Sequence, residues 1–106
     1  MGSKDIRLGR ANGFDIYLRG GNSGDTKETG RHFSNFVLLY QKPPRAGDAT
    51  TMGRTPILVN GVARFEGDGY VLDPESKQRL KSACDEPGLN EDEITELLLD
   101  HLKEHF

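Results

Sequence analysis

Apolar positions follow a period of two through the first two thirds of the chain and a helical period in the last third. Ile6 and Leu8 alternate with polar residues, as do Phe14, Ile16 and Leu18 against Asp15, Tyr17 and Arg19. A period of two marks half-buried strands. Asn12-Gly13 between the two runs is a strong hairpin signal. The register follows from matching faces. A two-residue loop at Asn12-Gly13 would send Ile6 and Leu8 to the face opposite Phe14, Ile16 and Leu18. A three-residue loop, Ala11-Asn12-Gly13, pairs Leu8 with Ile16 and Ile6 with Leu18, and gathers all five on one face. A slip of one residue turns every side chain over, so the three-residue loop with a left-handed Gly13 is expected.

Gly20 to Gly30 holds no apolar residue and reads as a loop. Phe36-Val37-Leu38-Leu39-Tyr40 is continuously apolar and fits a central strand covered on both faces. Pro43-Pro44 ends it, and the stretch to Pro56 is irregular. Loops over 20–31 and 42–56 are long for a small domain, and long loops tend to be functional or disordered. Ile57-Leu58-Val59 and Val62-Ala63-Arg64-Phe65 flank Asn60-Gly61, which predicts a second hairpin with a type I′ turn. Glu66 to Gly69 is a further turn into Tyr70-Val71-Leu72. The pattern predicts five or six short strands.

Asp73-Pro74-Glu75 carries the marks of a helix start: a capping Asp, a Pro in the first turn and an acid after it. That helix is predicted to reach about Cys84, burying Leu80, Ala83 and Cys84. Pro87-Gly88 stops it. Asn90 and Glu93 resemble a capping box, with Leu89 and Ile94 as its hydrophobic staple. The apolar stripe of the second helix is Ile94, Leu97, Leu98, His101, Leu102 and His105, with Leu99 to one side and Phe106 at the end. Strands followed by helices predict a single α+β domain over 1–106, an antiparallel sheet packed by two C-terminal helices.

The 106 residues suit one modest core. No run approaches the ~18 apolar residues of a membrane span, and Met1 to Asp5 lacks the apolar core of a signal peptide. The lone Cys84 leaves neither a disulfide framework nor a cysteine zinc site. A cytoplasmic protein is expected. The formal charge of −3 conceals a division. Residues 1–64 carry ten bases against five acids, and residues 65–106 carry four bases against twelve acids. The field a partner meets therefore depends on which half it approaches.

Candidate chemistry is thin. His101-Leu102-Lys103-Glu104-His105 matches the H-x-x-E-H spacing of inverted zinc proteases, with two histidines on one helical face. His32 would have to supply a third ligand, which is the basis for a small metal-dependent enzyme as one alternative. The glycine-rich stretch lacks both phosphate-loop patterns. Cys84 lies beside Leu80 and Ala83 and next to Asp85 and Glu86, a setting that does not activate a thiol. No set of residues assigns a nucleophile, a base and a stabiliser together.

Two binding surfaces remain. The second helix is expected to present Glu91, Asp92, Glu96, Asp100 and Glu104 beside Leu99, a surface for a basic protein, including a nucleic-acid-binding one. The alternative is nucleic-acid binding by Arg10, Arg19, Arg31, Lys42, Arg45 and Arg54, with Arg7 nearby and Tyr17, Phe33 and Tyr40 as stacking residues. The sequence therefore predicts a non-enzymatic regulator, inhibitor or subunit that binds another protein. No cofactor, small-molecule substrate or membrane partner is expected. Small acidic inhibitors carried by phages and mobile elements fit this description by analogy.

Overall fold

The computed structural model describes residues 4–28, 30–42 and 53–106. The fold is α+β. Five strands form one antiparallel sheet in sequential order: β1 (Asp5–Ala11), β2 (Phe14–Thr26), β3 (Gly30–Gln41), β4 (Thr55–Glu66) and β5 (Gly69–Leu72). Two helices follow, α1 (Pro74–Asp85) and α2 (Glu91–His105). α1 packs on β4, and α2 packs on both edge strands, β1 and β5. None of these helices is long and apolar enough to cross a membrane.

The first hairpin keeps the predicted Ile6–Leu18 pair but reaches it by another route. Its loop is two residues long, with Asn12 at φ 49° and Gly13 at φ 84°, the left-handed pair of a type I′ turn. Ala11 therefore pairs with Phe14. A bulge between Arg7 and Gly9 then restores the register that a three-residue loop would have set. Bulges insert one residue and re-aim the strand. Leu8 still packs against the core, whereas Ile6 is exposed.

Most of the predicted 20–31 loop is strand, with a turn at Lys27 and Glu28. β2 runs on to Thr26 and pairs with β3 from Asn22↔Ser34 to Thr26↔Gly30. The glycines make room for rings across the ladder. A Cβ on Gly21 would sit 2.2 Å from the Phe33 ring, and one on Gly24 would sit 2.8 Å from the His32 ring. The strand supplies space while its partner supplies the side chains, which is how aromatic residues compensate glycine in sheets.

The second predicted hairpin is also absent. Asn60-Gly61 lies inside a continuous β4, and β3 pairs with both sides of it, at Leu38↔Leu58 and Ser34↔Val62. Asn60 takes φ 55° and Asn35, on β3, takes φ 61°, where the register shifts. Gly61 is needed for space rather than for a turn, because a Cβ there would lie 2.4 Å from the Phe36 ring. Joining the two predicted segments gives a 12-residue strand where short ones were expected. Irregular pairs of this kind increase twist and accord with a curled sheet whose two edges both meet α2. Of the predicted 42–56 loop, residues 43–52 lie outside the described residues, and β4 has begun by Thr55.

The core lies between the sheet and the helices. Ile16, Leu18, Phe36 and Leu38 meet Leu80, Ile94, Leu98 and Leu102, all at most 2 % exposed. The central strand is covered on both faces at Leu38 and Leu39, each 0 % exposed. α1 begins as predicted, with the Asp73 carboxylate accepting from Glu75 N at 3.3 Å. Ala83 is only half-buried, and Ser76 takes an unpredicted buried place. Ser76 Oγ accepts from Val62 N at 3.0 Å, while Arg79 donates to the carbonyls of Val59 and Asn60 at 2.6 and 3.2 Å. α1 thus occupies part of the β4 edge that β5 leaves open, a common protection against strand-to-strand association.

Candidate functional site

α2 is a well-started helix. Asn90 Oδ1 accepts from Glu93 N at 3.2 Å, and Leu89 and Ile94 are both buried as the staple requires. Ile94, Leu98 and Leu102 recur every four residues and face the core. The opposite side carries Asp92, Glu93, Glu96, Asp100, Lys103 and Glu104, all exposed. Five of these six are acids. Among the described residues, Asp92, Glu93, Glu96 and Asp100 take part in no ion pair, and Glu104 has only His105 at 3.9 Å. The result is a negative ridge on a rigid rod.

Two residues expected on that ridge lie elsewhere. Leu99 is half-buried and packs against the core cluster. Glu91 is half-buried near Cys84. The sheet reaches α2 from both edges, which widens the covered sector of the helix beyond a single stripe. Burial, followed by the charges of Glu91 and Asp85, pushes the Cys84 thiol up to about 11. A thiol in that range is protonated at neutral pH and is a poor nucleophile.

Glu93, read from the sequence only as a capping residue, belongs to the ridge. With Glu96, Asp100, Leu97 and Arg10 it lines a shallow notch of about 150 Å³ between α2 and β1. The strands and helix approach closely here, since a Cβ on Gly9 would lie 2.8 Å from Leu97 Cδ2. Leu97 gives it an apolar surface, and its three acids outnumber Arg10, which is itself bonded to Asp15, so the notch suits the aliphatic stem and charged head of a Lys or Arg side chain.

The basic residues are arranged differently. Alternation along β2 puts Asp15, Tyr17 and Arg19 on the sheet face turned away from Ile16 and Leu18, and so away from the helices. Asp15 accepts from Arg7 Nη2 at 3.1 Å and from Arg10 Nε at 3.2 Å. Asp5 accepts two bonds from Arg19, at 2.6 and 2.9 Å, and one from Arg54 Nη1 at 2.9 Å. The Arg54 guanidinium also lies 3.9 Å from the centre of the Tyr17 ring. The carboxylates are submerged, with Asp5 side-chain exposure at 4 %, whereas the arginines above them are 37–55 % exposed.

The titration of both aspartates reflects this pairing. The Arg19 hydrogen bond is the largest influence on Asp5 and holds its carboxyl below the ordinary range, assisted by Arg54 and opposed by burial. At Asp15 burial acts upward, and the bonds and charges of Arg7 and Arg10 together outweigh it, leaving the carboxyl below its ordinary value.

The five described residues among the six considered for nucleic acid are not gathered into one cationic surface. Arg10, Arg19 and Arg54 lie in the paired network just described. Arg31 is placed apart, its guanidinium 4.8 Å from the Phe65 ring centre and 5.9 Å from that of Tyr70. Lys42 is exposed just beyond β3, and Arg45 lies outside the described residues. The aromatic residues considered for stacking are engaged as well: Tyr17 under Arg54, Phe33 in the core, and Tyr40 edge-on to Phe14 at 5.5 Å.

The three histidines do not converge. His101 and His105 are neighbours, with ring centres 4.5 Å apart. His32 lies over Gly24, its Nδ1 3.1 Å from the Gly30 carbonyl. Among the described residues no group of three or more His, Cys, Asp or Glu is placed to hold a metal ion. Set beside known proteins, the chain matches no protein family, no curated protein and no solved structure.

Proposed function

We propose that this protein acts without catalysis, as a regulator, inhibitor or subunit that docks the exposed face of α2 onto a basic surface of another protein. The observation that carries this reading is the contrast in pairing. Among the described residues, Asp92, Glu93, Glu96 and Asp100 stand unpaired on a capped, core-anchored helix, so a partner's cations can engage them without first breaking any bond seen there. Complementary charge of this kind steers encounter and fixes orientation. The notch beside Leu97 would take one Lys or Arg of the partner as an anchor. A cytoplasmic setting belongs to the same reading, supported by the single buried thiol.

The test is affinity purification from the native host with wild-type protein and with the triple variant Asp92→Lys, Glu96→Lys, Asp100→Lys, at low and high salt. Proteins retained by the wild type at low salt, and lost both to the variant and at high salt, are the expected result. The same proteins retained equally by the variant would overturn the reading. Retention of nucleic acid alone, with no protein, would favour the arginine-bearing sheet face instead.

A further inference from the structure

The H-x-x-x-H spacing at the end of α2 is left unused by the proposed docking, and the fold holds it in a defined geometry. His101 and His105 are one helical turn apart, with ring centres separated by 4.5 Å and planes inclined at 41°. A terminal turn that frayed would scatter two such rings. This one is pinned on three counts. Leu102, between the histidines, is 0 % exposed in the core. Phe106 N donates to Leu102 O at 2.8 Å and closes the last turn. The Phe106 ring lies 4.8 Å from that of Phe33 on β3, tying the end of the helix to the sheet.

We propose that His101 and His105 form a two-nitrogen chelate for a divalent cation of the copper, nickel and zinc class. Imidazole nitrogen is the preferred neutral ligand for these ions, and histidines at i and i+4 on a helix can share one. His101 is half-buried and His105 is exposed, so one ring is held by packing while the other stays open to solvent. Asp100 and Glu104, each adjacent in sequence to one of the histidines and exposed, add negative potential that attracts a cation. No third His, Cys, Asp or Glu among the described residues completes the set. The remaining coordination positions are therefore open to water or to a donor from another molecule. Magnesium and calcium, which require oxygen ligands, are excluded by the same chemistry.

The test is calorimetric titration of the whole protein with Cu²⁺, Ni²⁺, Zn²⁺ and Mg²⁺ near pH 7.5, with His101→Asn, His105→Asn, the double variant and His32→Asn alongside. One Cu²⁺ site per chain is expected, tighter than the Ni²⁺ and Zn²⁺ sites, with no Mg²⁺ binding. Each α2 variant should weaken Cu²⁺ binding at least tenfold, and His32→Asn should leave it unchanged. Circular dichroism confirms that each variant is folded, and the Cu²⁺ spin-resonance spectrum of the wild type should show coupling to two imidazole nitrogens. Equal Cu²⁺ binding by the wild type and the double variant would overturn the proposal. A spectrum with one nitrogen or none would overturn it equally.

Discussion

The arginine-bearing sheet face and the acidic face of α2 hold comparable charge and use it in opposite ways. On the sheet, Asp5 and Asp15 lie beneath the guanidinium groups of Arg7, Arg10, Arg19 and Arg54 and accept bonds from all four. On the helix, Asp92, Glu93, Glu96 and Asp100 face solvent with no ion-pair partner among the described residues. The difference shows why a count of charges is a poor guide to binding. Ten bases in the first 64 residues look like a polyanion surface, yet four of them are committed to holding strands together. The exposed acids of α2 carry no such commitment among the described residues.

The sharpest way to break this comparison is to remove a submerged carboxylate. Asp5→Ala strands Arg19 and leaves Arg54 with Tyr17, and Asp15→Ala strands Arg7 and Arg10. Bonds to charged groups contribute about 1.5–3 kcal/mol, and half-exposed guanidinium groups reduce that through solvent screening. Each variant should lose about 2 kcal/mol in urea unfolding. A loss as small as that of a surface acid would erase the distinction.

Acid titration comes next. Asp5 and Asp15 have folded-state values below their ordinary 3.8, so their contribution is complete above that pH and is lost as pH falls through the folded values. Asp5→Asn with Asp15→Asn should therefore flatten the acid limb of the stability curve below about pH 4. An unchanged limb would mean that other carboxylates govern it.

The smallest stability effects belong to the ridge. Single substitutions Glu96→Gln and Asp100→Asn should stay within about 0.5 kcal/mol of the wild type in the same unfolding assay. They should nevertheless weaken partner binding measurably at low salt, by an amount that shrinks as salt is raised. A destabilisation matching that of Asp5→Ala would show that the helix acids are structural.

Local signals in the chain predicted what local chemistry decides. The caps at Asp73 and Asn90, the Leu89–Ile94 staple, the left-handed Gly13 and the Ile6–Leu18 pair all follow from short spacings. The features that escaped depend on partners far along the chain. Gly21 and Gly24 look like loop residues until Phe33 and His32 are placed across from them. Asn60-Gly61 looks like a turn until Phe36 is found over Gly61. The bulge near Leu8 is invisible because a two-residue loop followed by a bulge gives the same Ile6–Leu18 pair as a three-residue loop. At the candidate site, the exposure of Asp92, Glu96, Asp100 and Glu104 follows from helical periodicity. The half-burial of Glu91 and Leu99 does not, since it requires knowing that both sheet edges reach α2. Nor could the sequence reveal that Arg54 binds Asp5, a partner 49 positions away.

The bonds from Ser76 and Arg79 to Val62, Val59 and Asn60 have a consequence for biogenesis. On the ribosome the pleated half of the chain emerges first, and the turns that shield it arrive last. Until the stretch around Ser76 and Arg79 clears the exit tunnel, nascent β4 displays naked amides and carbonyls that a neighbouring nascent chain can zip onto. A chain cut short before Pro74 would keep that vulnerability permanently, and it should accumulate as inclusion bodies.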